Sequence, residues 1–300
     1  GSWAGKIRSN YVKRYKFKGN LDMAYAINKI GEENTSEFQK SNDFMFRWSH
    51  QQDPKAHPVR RFSADVNILS NQFSKFNPTS ANDYLSNTFQ SGISYSTTFN
   101  SKYNLSANIR HSQNTITRQV DMSLPEVNFS VNRFYPFRKK VRQGNLKWYE
   151  NISMSYQTNL RNKITTVDTL LFTSNVVDKM QNGIKHSIPI NSSIKVLKYF
   201  SWNNTANFTE RWYTKTIEKR WYNSIYSGDT IPSYIKTEEQ NGFYAAHDFN
   251  FSSSLTTKLY GLVQFKKGKI KAFRHVVTPT LNYTYNPNFG SQKWGYYKYY

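Results

Sequence analysis

Cysteine is absent from the 300 residues, which removes disulfide frameworks, thiolate zinc sites and cysteine nucleophiles together. Long apolar runs are absent too. The longest is five residues, Met23 to Ile27, against the roughly 20 that a spanning helix needs, so no helix of this chain crosses a bilayer. Acidic residues are scarce: 19 Asp and Glu stand against 41 Lys and Arg, a formal net charge of +22. The start, Gly1-Ser2-Trp3-Ala4-Gly5, has neither an initiator methionine nor an apolar leader and reads as the beginning of a segment or a processed form.

What is present is lopsided. Hydrophobic residues make up only 37%, below the roughly 45–50% of soluble domains, yet the chain holds 7 Trp, 22 Tyr and 21 Phe. A conventional water-soluble core is poorly supported by these numbers. Disorder is excluded by the same aromatics, which disordered chains lack because they cannot bury them.

A period of two organises the sequence. From Tyr15 the odd positions run Tyr15, Phe17, Gly19, Leu21, Met23, Tyr25, Ile27, and the even ones Lys16, Lys18, Asn20, Asp22, Ala24, Ala26, Asn28. Successive strand side chains point to opposite faces, so one face is apolar and the other polar over about 13 residues, longer than the usual ~5–6. The pattern recurs at 44–48, 62–68, 89–99, 103–109, 152–160, 188–196, 200–208, 243–251, 259–265 and 277–285. With Trp3 to Tyr11 and Val120 to Val131 it predicts about 13 strands and no helix. At Pro125 the apolar phase slips from Val120, Met122 and Leu124 to Val127, Phe129 and Val131; one extra residue at a bulge would do this.

Connections alternate in length. Short or moderate ones lie at 12–14, 51–60, 100–101, 133–147, 197–198 and 256–257; mostly longer ones lie at 30–41, 71–86, 162–182 and 211–241, with shorter cases at 113–117 and 266–274. Up-and-down membrane barrels show this asymmetry, with short periplasmic turns and long outer loops. Aromatics gather near strand ends, as at Trp3 and Tyr11, Phe89 and Phe99, or Tyr283 and Tyr285, where an amphipathic ring suits a membrane interface. The expected fold is therefore all-β, an antiparallel up-and-down transmembrane β-barrel. An odd strand count implies an incomplete wall, because single-chain bacterial barrels close with even numbers. Residues 1–300 then form a single domain, one segment of a larger barrel.

If the apolar face meets lipid, the other lines a lumen. In this phase it carries Lys6, Arg8, Lys16, Lys18, Arg47, Arg61, Arg110, Arg161, Lys195 and Arg211 against Asp22, Asp43, Asp65, Asp121 and Asp248. A net positive wall of this kind attracts anionic amphiphile head groups, and Arg can grip a phosphate with two parallel hydrogen bonds. The plainer reading of any single one of these charges is that it hydrates a wide lumen or touches a plug.

Several segments are more specific than the pattern requires. Arg61-Phe62-Ser63-Ala64-Asp65-Val66-Asn67, Asn108-Ile109-Arg110-His111-Ser112-Gln113-Asn114, the stretch from Asp121 to Phe129, Asn132-Arg133-Phe134-Tyr135-Pro136-Phe137 and Arg274-His275-Val276-Val277-Thr278-Pro279 together resemble the outer-membrane lipopolysaccharide assembly protein family LptD, in its Bacteroidetes-type form. The resemblance covers most of the chain and is most characteristic over residues 108–137. It implies a very large barrel in the outer membrane of a Gram-negative cell, preceded by a periplasmic β-rich domain. It also implies lipopolysaccharide as the transported lipid, an LptE-like lipoprotein plug, and periplasmic Lpt bridge components as partners. The disulfides of some members have no counterpart in this Cys-free chain.

The chain holds no GxSxG, HExxH, GxGxxG or P-loop motif. Of the six His residues only His50 and His57 are close in sequence, across Pro54 and Pro58 in an expected turn. No catalytic activity, metal or cofactor is expected. The basic residues are spread through the chain rather than clustered, which argues against a nucleic-acid surface. Two alternatives stay open: another outer-membrane transporter or receptor barrel, which would carry its own plug domain, and a structural or adhesive surface β protein, which would fold without detergent.

Overall fold

The computed structural model describes the chain apart from residues 1, 71–72, 78–84, 86, 140, 142–143, 172, 174–175, 177–178, 223–233, 268–270 and 297–300. The described residues form fourteen strands: β1 (Trp3–Lys13), β2 (Phe17–Ile30), β3 (Gln39–Gln52), β4 (Arg60–Leu69), β5 (Thr88–Phe99), β6 (Tyr103–Asn114), β7 (Gln119–Phe134), β8 (Ser153–Val167), β9 (Gln181–Val196), β10 (Phe200–Tyr222), β11 (Tyr234–Thr256), β12 (Leu259–Gln264), β13 (Ala272–Val277) and β14 (Thr280–Tyr285). Twelve of them make one antiparallel sheet in the order β1-β2-β3-β4-β5-β6-β7-β8-β9-β10-β11-β14, and β12 pairs with β13 in a separate ribbon. Strands β1 and β14 are its two open edges. The all-β, antiparallel expectation holds.

The pairing register preserves the sequence phase. Directly opposed residues share a face, and Ile7↔Met23, Leu21↔Trp48, Met23↔Phe46, Tyr25↔Phe44 and Phe46↔Ile68 are opposed. On β7, Met122 and Leu124 before Pro125 and Phe129 after it lie on this apolar face, because the first two border the same cavity as Ile93 and Ile109 and Phe129 stacks on Tyr103. The strand runs through Leu124-Pro125, whose peptide is cis. Two short turns have both central residues at positive φ, Asn100-Ser101 and Leu197-Lys198, the backbone twist that two-residue hairpins favour.

Four expectations are corrected. The strand expected from Tyr15 begins at Phe17, because Tyr15 turns the chain with φ 59°; Lys16 therefore lies in the β1–β2 turn. Residues 277–285 are two strands rather than one: β13 ends at Val277, Pro279 has no N–H for a ladder, and β14 pairs instead with β11. That split takes the count from about thirteen to fourteen. Much of the connection expected at 211–241 is strand, since β10 and β11 run 23 residues each, with a register shift at Tyr213/Lys215. Phe89, expected to face outward, is buried against Ala26, Met45, Leu69 and Phe73, because the one-turn helix α1 (Phe73–Phe76) of the β4–β5 connection places Phe73 in the same cluster. Most of the expected loop 71–86 and the tip 223–233 lie outside the described residues.

The chain groups into two compact units, Gly1–Phe129 with Asn159–Ile184, and Ser130–Thr158 with Lys185–Tyr300. The first is organised by the Phe73 cluster and, beside it, by the buried Asp43 carboxylate. Asp43 accepts hydrogen bonds from Asn28 Nδ2 (2.8 Å), Ser41 Oγ (2.7 Å) and Ser70 Oγ (2.8 Å). The second is organised by ring contacts along its strands, Tyr156 to His186 to Trp212 to Phe243 and, around the C-terminal turn, Phe249 to Phe289 to Trp294.

Candidate functional site

Part of the first unit leaves its apolar face open. On β1 to β3 the apolar face is open, with Ile7 68% and Met23 44% exposed and Trp3, Tyr25 and Phe44 similarly so. On β2 and β3 the opposite face is the more covered, with Asp22 at 8% and Asp43 at 2% beside the apolar Ala26 and Met45, whereas on β1 both faces are open. A sheet stabilised by water exclusion buries its apolar face; a contiguous open patch of this kind marks a surface meant for an apolar surrounding.

At the short-turn end this open face is aromatic. Tyr11, Phe17, His50, Phe62, Phe99 and Tyr103 each lie within two residues of a strand end. Tyr11, Phe17, His50 and Phe62 form a ring network with Trp48, and Phe99 stacks separately on Tyr103. Three of their polar atoms are joined within the cluster: Trp48 Nε1 donates to Tyr11 Oη (2.8 Å), which in turn is 2.9 Å from His50 Nδ1. The apolar bodies of these rings can therefore meet lipid without stranding a donor. His57 has a different role, accepting at Nδ1 the amide N–H groups of Val59 and Arg60 in the β3–β4 turn.

The opposite face is a ladder of charges and amides. Arg8, Asp22, Arg47 and Asn67 are opposed in sequence across β1 to β4. Arg8 Nε donates to Asp22 (2.9 Å) and Arg47 Nε to Asn67 (3.0 Å). A second row, Asn10, Asn20, Ser49, Asp65, Gly92 and Arg110, crosses six strands, and Arg110 reaches Glu126 at 3.9 Å. Asn159 Nδ2 ties Glu126 (3.3 Å) to Asn128 (2.6 Å). In the second unit Arg211 pairs with Asp248, Asn207 donates to Asn250 (2.9 Å), and Lys195 Nζ donates to Ser201 (2.9 Å).

The ten basic residues thus fall into groups. Arg8, Arg110 and Arg211 are paired with carboxylates, and Arg47 sits opposite Asp22. Lys6 lies opposite Ala24, Lys18 between Val12 and Gln51, and Arg61 opposite Ser96. Arg161 is on β8, and no ion pair holds these four among the described residues. Lys16 is in a turn. Glu126 was missing from the acids expected on this face, although the phase slip at Pro125 places it there. Away from both faces, a hydrogen bond from Lys29 holds the Glu33 carboxyl below its usual range, and the backbone N–H of Lys147 does the same for Glu150.

No curated protein matches the chain at a significant level. A family model described as LptD protein matches it over residues 1–300. That match spans the whole of a sheet whose residues 108–137 already carried the resemblance, and the chain belongs to the LptD protein family.

Proposed function

We propose that this chain is part of the wall of an outer-membrane β-barrel that inserts lipopolysaccharide into the outer leaflet. The observation that carries the reading is the open apolar face of β1 to β3, read together with the family match. The open apolar face meets lipid and the hydrogen-bonded polar face lines the lumen. The edges β1 and β14 then need further strands, since unpaired backbone groups are not tolerated in hydrocarbon, so the twelve strands belong to a larger closed barrel.

The lumen chemistry is binding rather than catalysis. Its cations are interleaved with carboxylates and amides, so a phosphorylated head group meets many weak, exchangeable partners instead of one tight site. An LptE-like lipoprotein inside the lumen and periplasmic Lpt components beneath it complete the proposed machine. The test is depletion of the full-length protein in cells, followed by labelling of surface lipopolysaccharide. The reading expects surface arrival to fail while unrelated outer-membrane barrels still assemble; continued arrival would overturn it.

A further inference from the structure

At the long-loop end of the first unit's apolar face lies a cavity of about 650 Å³. Its floor is aliphatic, built by Val66, Ile68, Ile93, Ile109, Met122 and Ile164 from five adjacent strands, and its roof is Leu171, Val176 and Met180 from the β8–β9 connection. The roof is anchored. Asp168 donates its N–H to the carbonyl of Arg118 (3.0 Å), and its carboxylate lies 3.4 Å from Arg118 Nε, so the start of the connection is held against the β6–β7 turn.

We infer that this cavity seats one acyl chain of a membrane lipid, a reading that rests on the apolar face meeting the bilayer. Three features select the ligand class. First, the lining is mostly apolar and holds no Lys or Arg among the described residues, and its Asp168 carboxylate is paired with Arg118, which excludes an anionic head group as the main occupant. Second, the size fits: a methylene takes up about as much room as a water molecule, roughly 30 Å³, so the space corresponds to on the order of twenty chain carbons. Third, the lining changes character along the face. At the short-turn end rings fill the surface, whereas here the centre is kept small by Ser91, whose hydroxyl is turned to the backbone of Asn67 (2.9 and 3.1 Å). Flexible methionines border the space, as suits a chain of variable conformation. Thr169 supplies an uncharged hydroxyl at the wall, suited to an ester or a chain hydroxyl.

A glycerophospholipid and a lipopolysaccharide both bring such a chain, and the test separates them. Full-length protein is equilibrated in membranes with phosphatidylethanolamine carrying a diazirine in its acyl chain, extracted into detergent, washed and irradiated. Label retained on peptides of β5, β6 and residues 168–180 is expected. It should fall at least tenfold in Ile93→Trp, which fills the floor, and persist in Met23→Trp on the open part of the same face. Val176→Trp fills the space from the roof and serves where the first variant assembles poorly. Displacement by unlabelled lipopolysaccharide but not by unlabelled phospholipid assigns the site to the former, and the converse to the latter. Retained label that is absent from the native protein, or unchanged in both filled variants, overturns the inference. Irradiation before extraction reports separately whether the peptide holding Met23 meets lipid, so a failed cavity and a failed membrane reading are distinguishable.

Discussion

The ring of Tyr11 lies over Gly19, the residue opposite it on β2, so closely that a Cβ at Gly19 would collide with the phenol and with the carbonyl of Ser49. The missing side chain lets Tyr11 span β2 and reach His50 and Trp48 on β3. Gly19→Ala should therefore displace the ring, break both hydrogen bonds and cost about 1–3 kcal/mol by overpacking. Gly92, which has open space where a Cβ would go, is the control: Gly92→Ala should stay within about 0.5 kcal/mol. Urea unfolding midpoints of the refolded protein in lipid check both.

Asp43 is held by three donors on two strands and the β4–β5 connection. Asp43→Ala leaves Asn28, Ser41 and Ser70 competing for no acceptor, and about 2–4 kcal/mol of stability should be lost. Asp43→Asn keeps an acceptor oxygen and should lose less than half as much. The same unfolding measurement reads the pair, and equal losses would show that the negative charge itself, not the accepting oxygen, matters.

The turn at Lys147–Asn151 should respond to acid. Glu150 is held below its usual carboxyl range by the Lys147 amide. Its contribution is therefore complete above the unfolded pKa, near 4.3, and disappears as pH falls through the lower folded value. The ¹⁹F resonance of fluorotryptophan at Trp148, assigned by Trp148→Phe, should shift below about pH 4, and Glu150→Gln should show the acid position at neutral pH.

Reversal of Arg47, Arg110 and Arg161 together should slow passage of an anionic glycolipid, since screening inside a partly enclosed lumen is weaker than at an open surface. Single reversals should have little effect, because neighbouring cations and water compensate. The triple Glu variant in the full-length protein, once shown to assemble, should lower lipopolysaccharide arrival at the surface at least several-fold. Undiminished arrival would mean that these positions only hydrate the wall.

Strand positions were legible wherever one face is aromatic or aliphatic and the other is not, as on β2, because a period of two needs nothing but that contrast. The outer half of the β10–β11 hairpin lacks it. There Glu218 opposes Glu238 and Arg220 opposes Lys236, like charges that argue against pairing until their neighbours are seen: Arg220 pairs with Glu218, Lys236 with Glu238, and Tyr222 stacks on Tyr234. The burial of Phe89 was equally hidden, since it depends on Phe73 from a connection with no periodic signal. Among candidate site residues, the faces of Arg8, Arg47 and Arg110 followed from phase alone. Their partners, Asp22, Asn67 and Glu126, did not, because register between strands is set by tertiary pairing.

The most direct test of the account is the accessibility of its two faces. The chain has no cysteine, so within it each introduced spin label is unique. Labels at Ile7 and Met23 and at Asn20 and Asp65 are placed in turn in the full-length protein, reconstituted in lipid, and their relaxation by oxygen is compared with that by a water-soluble nickel chelate. The account predicts oxygen-dominated relaxation at Ile7 and Met23 and nickel-dominated relaxation at Asn20 and Asp65. The reverse order, or water accessibility on both faces, would contradict a sheet that stands in the membrane with its apolar side to lipid.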